Sequence, residues 1–319
     1  MEKLKFIRHK IPVKIRSPMY RKAVVAGSVV KVVSMREAPG DFPIRKIDKQ
    51  FYVDVRTGQL GEYHRSETKA DLSTDSLRKT LERLRLIINA NCVSASALRW
   101  LTLTYAENMR DRKRLYTDFN RFFVRFKRYS VKNCFEIPEY IAVAEPQNRG
   151  AWHLHVILVY PYVAPFVPVS DLQEMWGQGF TWITKCEGVD NIGAYFSAYL
   201  SDLPLDEAQD CGVSYSSASV VEKEVYEFER ERRAKKKFVK GARLSLYPAG
   251  MNLYRCSRGI VKPLAVDCSG LSPEEWENEK AGWGEPTFAR SCSVIGLSPG
   301  GCPAEVNIVS SEYYNRKQV

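Results

Sequence analysis

Tyr140-Ile141-Ala142-Val143-Ala144-Glu145, Pro146-Gln147-Asn148-Arg149-Gly150 and Trp152-His153-Leu154-His155-Val156-Ile157-Leu158-Val159-Tyr160 follow one another and decide how the chain folds. Two apolar runs flank five residues of turn chemistry, which predicts an antiparallel hairpin. Working outward, Leu98–Tyr105 alternates and is partly β-branched, so it predicts another strand. Asp111–Tyr129 predicts an amphipathic helix, with Leu115, Phe119, Phe122, Phe123 and Phe126 as its buried stripe. Ser73–Asn89 predicts a helix capped by Ser73, and Ser170–Trp176 a short one with a capping box of Ser170 and Gln173 and a stop at Gly177. Phe180–Thr184 reads as a strand, and Asn191–Leu203 as a helix ended by Pro204. Glu222–Lys240 reads as a charge-laced helix, acids first and bases last, as its dipole favours. This order suits an α+β fold, an antiparallel central sheet with flanking helices. Residues 1–90, with short β-rich runs at Ala23–Val33 and Gln50–Val55, form a basic accessory region, and 91–263 the main domain. Residues 264–319, rich in Ser, Gly, Pro and Cys, are expected to be an irregular, partly disordered tail.

The 319 residues carry a net charge of +11. Residues 1–60 hold 14 Lys/Arg against 5 Asp/Glu, and Arg110–Lys132 holds 9 against 2. Such a surplus favours a polyanionic partner, because neutralising phosphates releases condensed counterions. Nucleic acid, an anionic membrane surface and simple solubility all remain compatible with it. The polar, basic start has no apolar core of a secretory signal. Val156–Val169 is too short for a bilayer and contains three prolines, so no membrane partner is expected. Eight scattered cysteines without a Cys-x-x-Cys pair argue against zinc knuckles and for reduced thiols in a cytoplasm. No Gly-x-x-x-x-Gly-Lys-Ser/Thr loop occurs, which excludes a P-loop ATPase.

Two of the four histidines, His153 and His155, stand one residue apart and share one strand face. They are either an exposed pair or two ligands for one divalent ion. A hairpin brings Glu145 beside them across the ladder. Two imidazoles and a carboxylate suit Mn²⁺, and hold Mg²⁺ when phosphate and water oxygens complete the shell. Tyr195 and Tyr199 are four apart, which on a helix stacks both hydroxyls on one face, for packing or for nucleophilic attack. Arg121, Arg125 and Arg128 lie off the buried stripe of their helix and are candidates for contact with DNA.

Leu101-Thr102-Leu103-Thr104-Tyr105, His153-Leu154-His155 and Tyr195-x-x-x-Tyr199 together resemble the three ordered motifs of the HUH endonucleases. The likeness is to rolling-circle replication initiators of bacteriophages and plasmids, and runs from about Asn91 to Pro263. Trp176-Gly177-Gln178-Gly179 resembles a Trp-x-x-Gly element of that family, and Leu246-Tyr247-Pro248-Ala249-Gly250 a region downstream of its tyrosines. The resemblance implies that His153, His155 and Glu145 bind Mg²⁺ or Mn²⁺. It implies that Tyr195 attacks the scissile phosphate of single-stranded DNA at an origin, leaving a 5′-phosphotyrosine and a 3′-hydroxyl, and that Tyr199 serves the second transfer. Relatives usually carry a cation where this chain has Ala198, and often another where it has Asp202; Lys185 and Arg149 are the expected substitutes. A chain without its own ATPase would depend on a host helicase and polymerase. A relaxase or transposase, and a non-catalytic origin-binding repressor, are the alternative readings.

Overall fold

The computed structural model describes residues 5–39, 44–48, 50–55, 58–63, 74–147, 150–186, 200–210, 215–227, 232–248, 250–297 and 302–316. The chain begins with β1 (Lys5–Arg8), β2 (Tyr20–Ala26), β3 (Val29–Met35), β4 (Ile44–Lys46), β5 (Phe51–Asp54) and β6 (Leu60–Glu62). It continues through α1 (Thr74–Asn91), β7 (Leu98–Thr104), α2 (Arg112–Lys132), β8 (Glu139–Pro146), β9 (Trp152–Val159), α3 (Val169–Trp176) and β10 (Thr181–Lys185). Then come β11 (Leu203–Pro204), α4 (Leu205–Asp210), β12 (Val220–Glu227), β13 (Arg232–Val239) and β14 (Tyr254–Cys256). It ends with β15 (Leu264–Asp267), α5 (Pro273–Lys280), β16 (Phe288–Leu297) and β17 (Pro303–Asn315). The α+β class with antiparallel sheets and flanking helices is the one expected. Two compact units divide the chain, 66–261 and the two ends 1–65 with 262–319. No described helix is long and apolar enough to cross a membrane.

The unit 66–261 is built on a five-stranded sheet in the order β10-β7-β9-β8-β14. The expected hairpin is β8 with β9, in a register that sets Glu145 opposite His153 and Ala144 opposite Leu154. Its period of two sorts the side chains. Leu101, Leu103, Ala142, Ala144, Leu154 and Val156 are buried, and Tyr116 and Phe119 of α2 meet Ala142, Ala144 and Leu154 there. The opposite face carries Trp100, Thr102, Glu145, His153 and His155. The stripe expected on α2 is buried, and Asp111 caps the helix by accepting from Lys113 N.

Gly177 ends α3 in the left-handed region at φ 64°. The chain then presses onto the end of β7, with Ala106 N donating to Gln178 O at 2.9 Å. A Cβ at Gly179 would lie 2.5 Å from Ala106 N and 2.7 Å from Thr104 O. Backbone on both sides cannot yield as a side chain would. Gly179→Ala is therefore expected to cost roughly 1–3 kcal/mol, as overpacking does. Urea denaturation measures it, and an unchanged midpoint would show that the loop relaxes without cost.

Three expectations are corrected. Glu222–Lys240 is not a helix but the hairpin of β12 and β13. Its register sets Glu222 opposite Lys237, Glu224 opposite Lys235 and Glu227 opposite Arg232. An acid block followed by a basic block thus suits an antiparallel ladder as well as a helix dipole. The segment after Pro263 is not an irregular tail, because it supplies β15, α5, β16 and β17. Its pairing partners lie far away in sequence, Ser310 with Ser34 and Val266 with Ala23, beyond any local pattern. The capping box at Ser170 is absent. Pro168 occupies the cap, and Ser170 Oγ donates to Asp171 instead.

The other unit holds a six-stranded antiparallel sheet in the order β1-β16-β17-β3-β2-β15 and a small sheet β4-β5-β6. On one face Ala23, Val30, Val32 and Tyr314 pack with Trp276 of α5, Trp283 and Cys268. The Arg21 guanidinium lies 4.3 Å over the Trp276 ring.

Candidate functional site

β9 runs mid-sheet between β7 and β8, so its backbone is fixed on both sides. His155 Nδ1 is 3.3 Å from Thr102 Oγ1 on β7. Trp100 Nε1 donates to that hydroxyl at 3.2 Å. This chain holds the imidazole with Nε2 directed at the Glu145 carboxylate, which it contacts. His153 stands opposite Glu145 in the register, with its ring centroid 6.4 Å from that of His155. The three candidate ligands are thus neighbours on one sheet face. Among the described residues no three such side chains form a closed metal cage; the cluster is open on the His153 side.

Glu145 is only 7% exposed. Its second oxygen lies 2.5 Å from Arg243 Nη1. Burial alone would raise the carboxyl, but Arg243, then His155 and His153, outweigh it and hold the pKa at about 2. Arg243 lies in a 3-10 turn, Ala242–Leu246, and is itself 2% exposed. Nη1 also donates to Pro146 O at 3.0 Å, Nε to Asp202 O at 3.2 Å, and Nη2 to Glu207 at 3.5 Å. One guanidinium therefore ties the end of β8, the start of β11 and α4 to the carboxylate beside the histidines. Asp202 Oδ1 accepts from Gly241 N at 2.9 Å and fixes the entry to that turn. Tyr247 is fully buried and donates to Ala144 O at 2.9 Å, and burial pushes its pKa far up, so it is part of the scaffold.

Tyr195, Tyr199 and Arg149 lie outside the described residues, as does most of the helix expected at 191–203. Arg121, Arg125 and Arg128 are exposed on α2, which packs on the opposite face of the sheet from the histidines. Arg121 pairs with Asp118 at 3.6 Å, and Arg125 Nη1 donates to Met175 O at 2.6 Å. Lys185 is exposed at the end of β10, with β7 between it and β9. Neither group is brought to the histidines. The cation that does reach them is Arg243. Its only signal in the sequence is a place in the downstream segment, since one arginine among 48 Lys/Arg carries no mark of burial.

Residues 98–203 match the family model of replication-associated protein ORF2. The matched span begins at β7 and contains Thr102, Glu145, His153 and His155. No curated protein and no solved structure matches the chain. Over about a third of its length, which includes the histidine–carboxylate cluster, the chain is similar to replication-associated proteins, and the match supports a replication-initiator family.

Proposed function

We propose that the chain is a replication-initiation endonuclease that cuts one DNA strand at an origin by tyrosine attack, in the manner of the HUH endonucleases it resembles. One observation carries this reading. Arg243 bonds both the Glu145 carboxylate and Asp202 O. The backbone three residues past Tyr199 is thus one guanidinium away from the histidine cluster. The phenol oxygen of Tyr195 forms a bond to the scissile phosphorus, and the bond to the 3′ oxygen breaks. That leaves a phosphotyrosine and a 3′-hydroxyl from which a polymerase extends. Tyr199 serves the second transfer.

The donor set fits a divalent cation, with two imidazoles and one carboxylate on a rigid ribbon and open positions for phosphate and water oxygens. Bound by His153, His155 and Glu145, Mg²⁺ or Mn²⁺ would polarise the phosphodiester and stabilise its developing charge. The hydrogen bond from Thr102 keeps the His155 ring turned so that Nε2 faces the cluster. Thr102→Val is expected to weaken Mn²⁺ binding roughly 10–100-fold, as loss of an orienting partner does. Titration calorimetry checks this, and an unchanged affinity would remove Thr102 from the site. The proposal itself is tested by incubating the protein with origin-bearing single-stranded oligonucleotide and Mg²⁺ or Mn²⁺. A covalent adduct that survives denaturation and vanishes on chelation is expected. Tight binding without any adduct would leave an origin-binding repressor instead.

A further inference from the structure

The six-stranded sheet of the unit formed by 1–65 and 262–319 has a second face, opposite the one on which α5 packs. Two of its cross-strand rows are read from the register. In the first, Val24, Lys31, Tyr313 and Phe288 stand side by side on β2, β3, β17 and β16. In the second, two residues along, Lys22, Val33, Ser311 and Arg290 do the same. Arg8 on β1 joins the same face opposite Cys292.

Charge is sorted between the two sides. The second face carries Arg8, Lys22, Lys31 and Arg290 against one acid, Asp267 at the β15 edge opposite Lys22. Glu305 and Glu312 are held on the other side, Glu305 by Ser293 and Arg36 and Glu312 by Tyr314. The basic groups are interleaved with rings. Lys31 Nζ lies 5.8 Å from the Tyr313 ring, and the Phe288 and Tyr313 ring centroids are 5.8 Å apart. Phe288 remains 48% exposed. A large exposed ring in a row of cations serves no core.

We infer that this face is a platform for single-stranded DNA, on which unpaired bases stack against Phe288 and Tyr313 while Lys22, Lys31, Arg290 and Arg8 meet the phosphates. Aromatic rings on a sheet take up base faces, which a duplex hides inside its own stack. Rings on adjacent strands about 4.8 Å apart suit on the order of two or three bases. The inference deepens the proposed function and rests on it for the kind of strand bound. The unit would hold the strand displaced or presented at the origin, apart from the histidine cluster.

Fluorescence anisotropy of the full chain with labelled oligo(dT), which contains no origin, is the test. Phe288→Ala with Tyr313→Ala is expected to weaken binding roughly 10- to 100-fold, while Phe288→Tyr with Tyr313→Phe keeps it. Lys31→Gln with Arg290→Gln is expected to lower the slope of log affinity against log salt by about 1.4, about 0.7 for each phosphate left without its cation. Ultraviolet crosslinking of bromodeoxyuridine oligonucleotide to the wild-type chain should mark peptides holding Phe288 or Tyr313, which keeps the test decisive if an alanine variant does not fold. Wild-type affinity in folded variants of both kinds would overturn the inference. So would duplex DNA or anionic phosphatidylserine vesicles binding as tightly as oligo(dT), or crosslinks confined to 66–261. Adduct formation on a saturating origin oligonucleotide is read separately. If wild-type protein forms no adduct while the platform variants still lose oligo(dT), the endonuclease reading fails and the platform stands.

Discussion

His153→Ala is expected to reduce covalent adduct formation at least about a thousandfold while leaving origin binding largely intact. The stabilisation that a bound divalent ion gives a phosphoryl transition state is several kcal/mol, and each 1.36 kcal/mol is tenfold in rate. His153 faces Glu145 directly across the ladder, so its loss opens the ligand set without disturbing the core on the opposite sheet face. Tyr195→Phe should match it in adduct yield for a different reason, since the phenylalanine ring lacks the attacking oxygen. The two are separable by metal. Tyr195→Phe should still bind Mn²⁺ with wild-type affinity, and His153→Ala should not. Adduct formed by His153→Ala at the wild-type rate would take the histidines out of the mechanism. Adduct formed by Tyr195→Phe but lost in Tyr199→Phe would reverse the order of the two tyrosines.

Arg243→Met is expected to lower folding stability by about 3–5 kcal/mol, the range found when one partner of a buried ion pair is removed. The reason is the charge left behind. Glu145 is 7% exposed, and without the guanidinium it would be a buried carboxylate facing Pro146 and Asp202 carbonyls that are also deprived of their donor. Arg243→Lys should rescue little, because an ammonium cannot reproduce a planar fork serving Glu145, Pro146, Asp202 and Glu207. The pH dependence has a definite sign. Glu145 is held at about 2, below its ordinary 4.5. Its contribution is therefore complete above the ordinary value and is lost as pH falls from about 4.5 towards 2. In Arg243→Met the acid transition should move to higher pH. Urea denaturation followed by circular dichroism across that window measures both effects. A loss below about 1 kcal/mol at neutral pH, typical of an exposed pair, would remove Arg243 from its place as the hub.

Much of the sheet that carries the cluster was legible because its signals are local. Period-two alternation on both sides of Pro146–Gly150 names the hairpin, and the spacing of His153 and His155 places them on one face by strand geometry alone. The helix at Arg112–Lys132 was legible for the same reason, through its phenylalanine stripe. The β12–β13 hairpin was misread because charge order has two solutions, and only the ladder partner chooses between them. The last third of the chain resisted reading because β15 and β17 pair with strands near the start, so their neighbours in space are absent from any window of sequence.

The amino-acid order by itself determined the antiparallel α+β class, the basic balance, and the sharing of one strand face by the two histidines, all of which follow from periodicity and side-chain chemistry within a few residues. Only the tertiary structure decided that Arg243 is the cation beside Glu145, that the α2 arginines lie behind the sheet, and that the two chain ends close into one sheet. Those facts depend on which distant segments meet, and long-range contact leaves no periodic trace in the residues that make it.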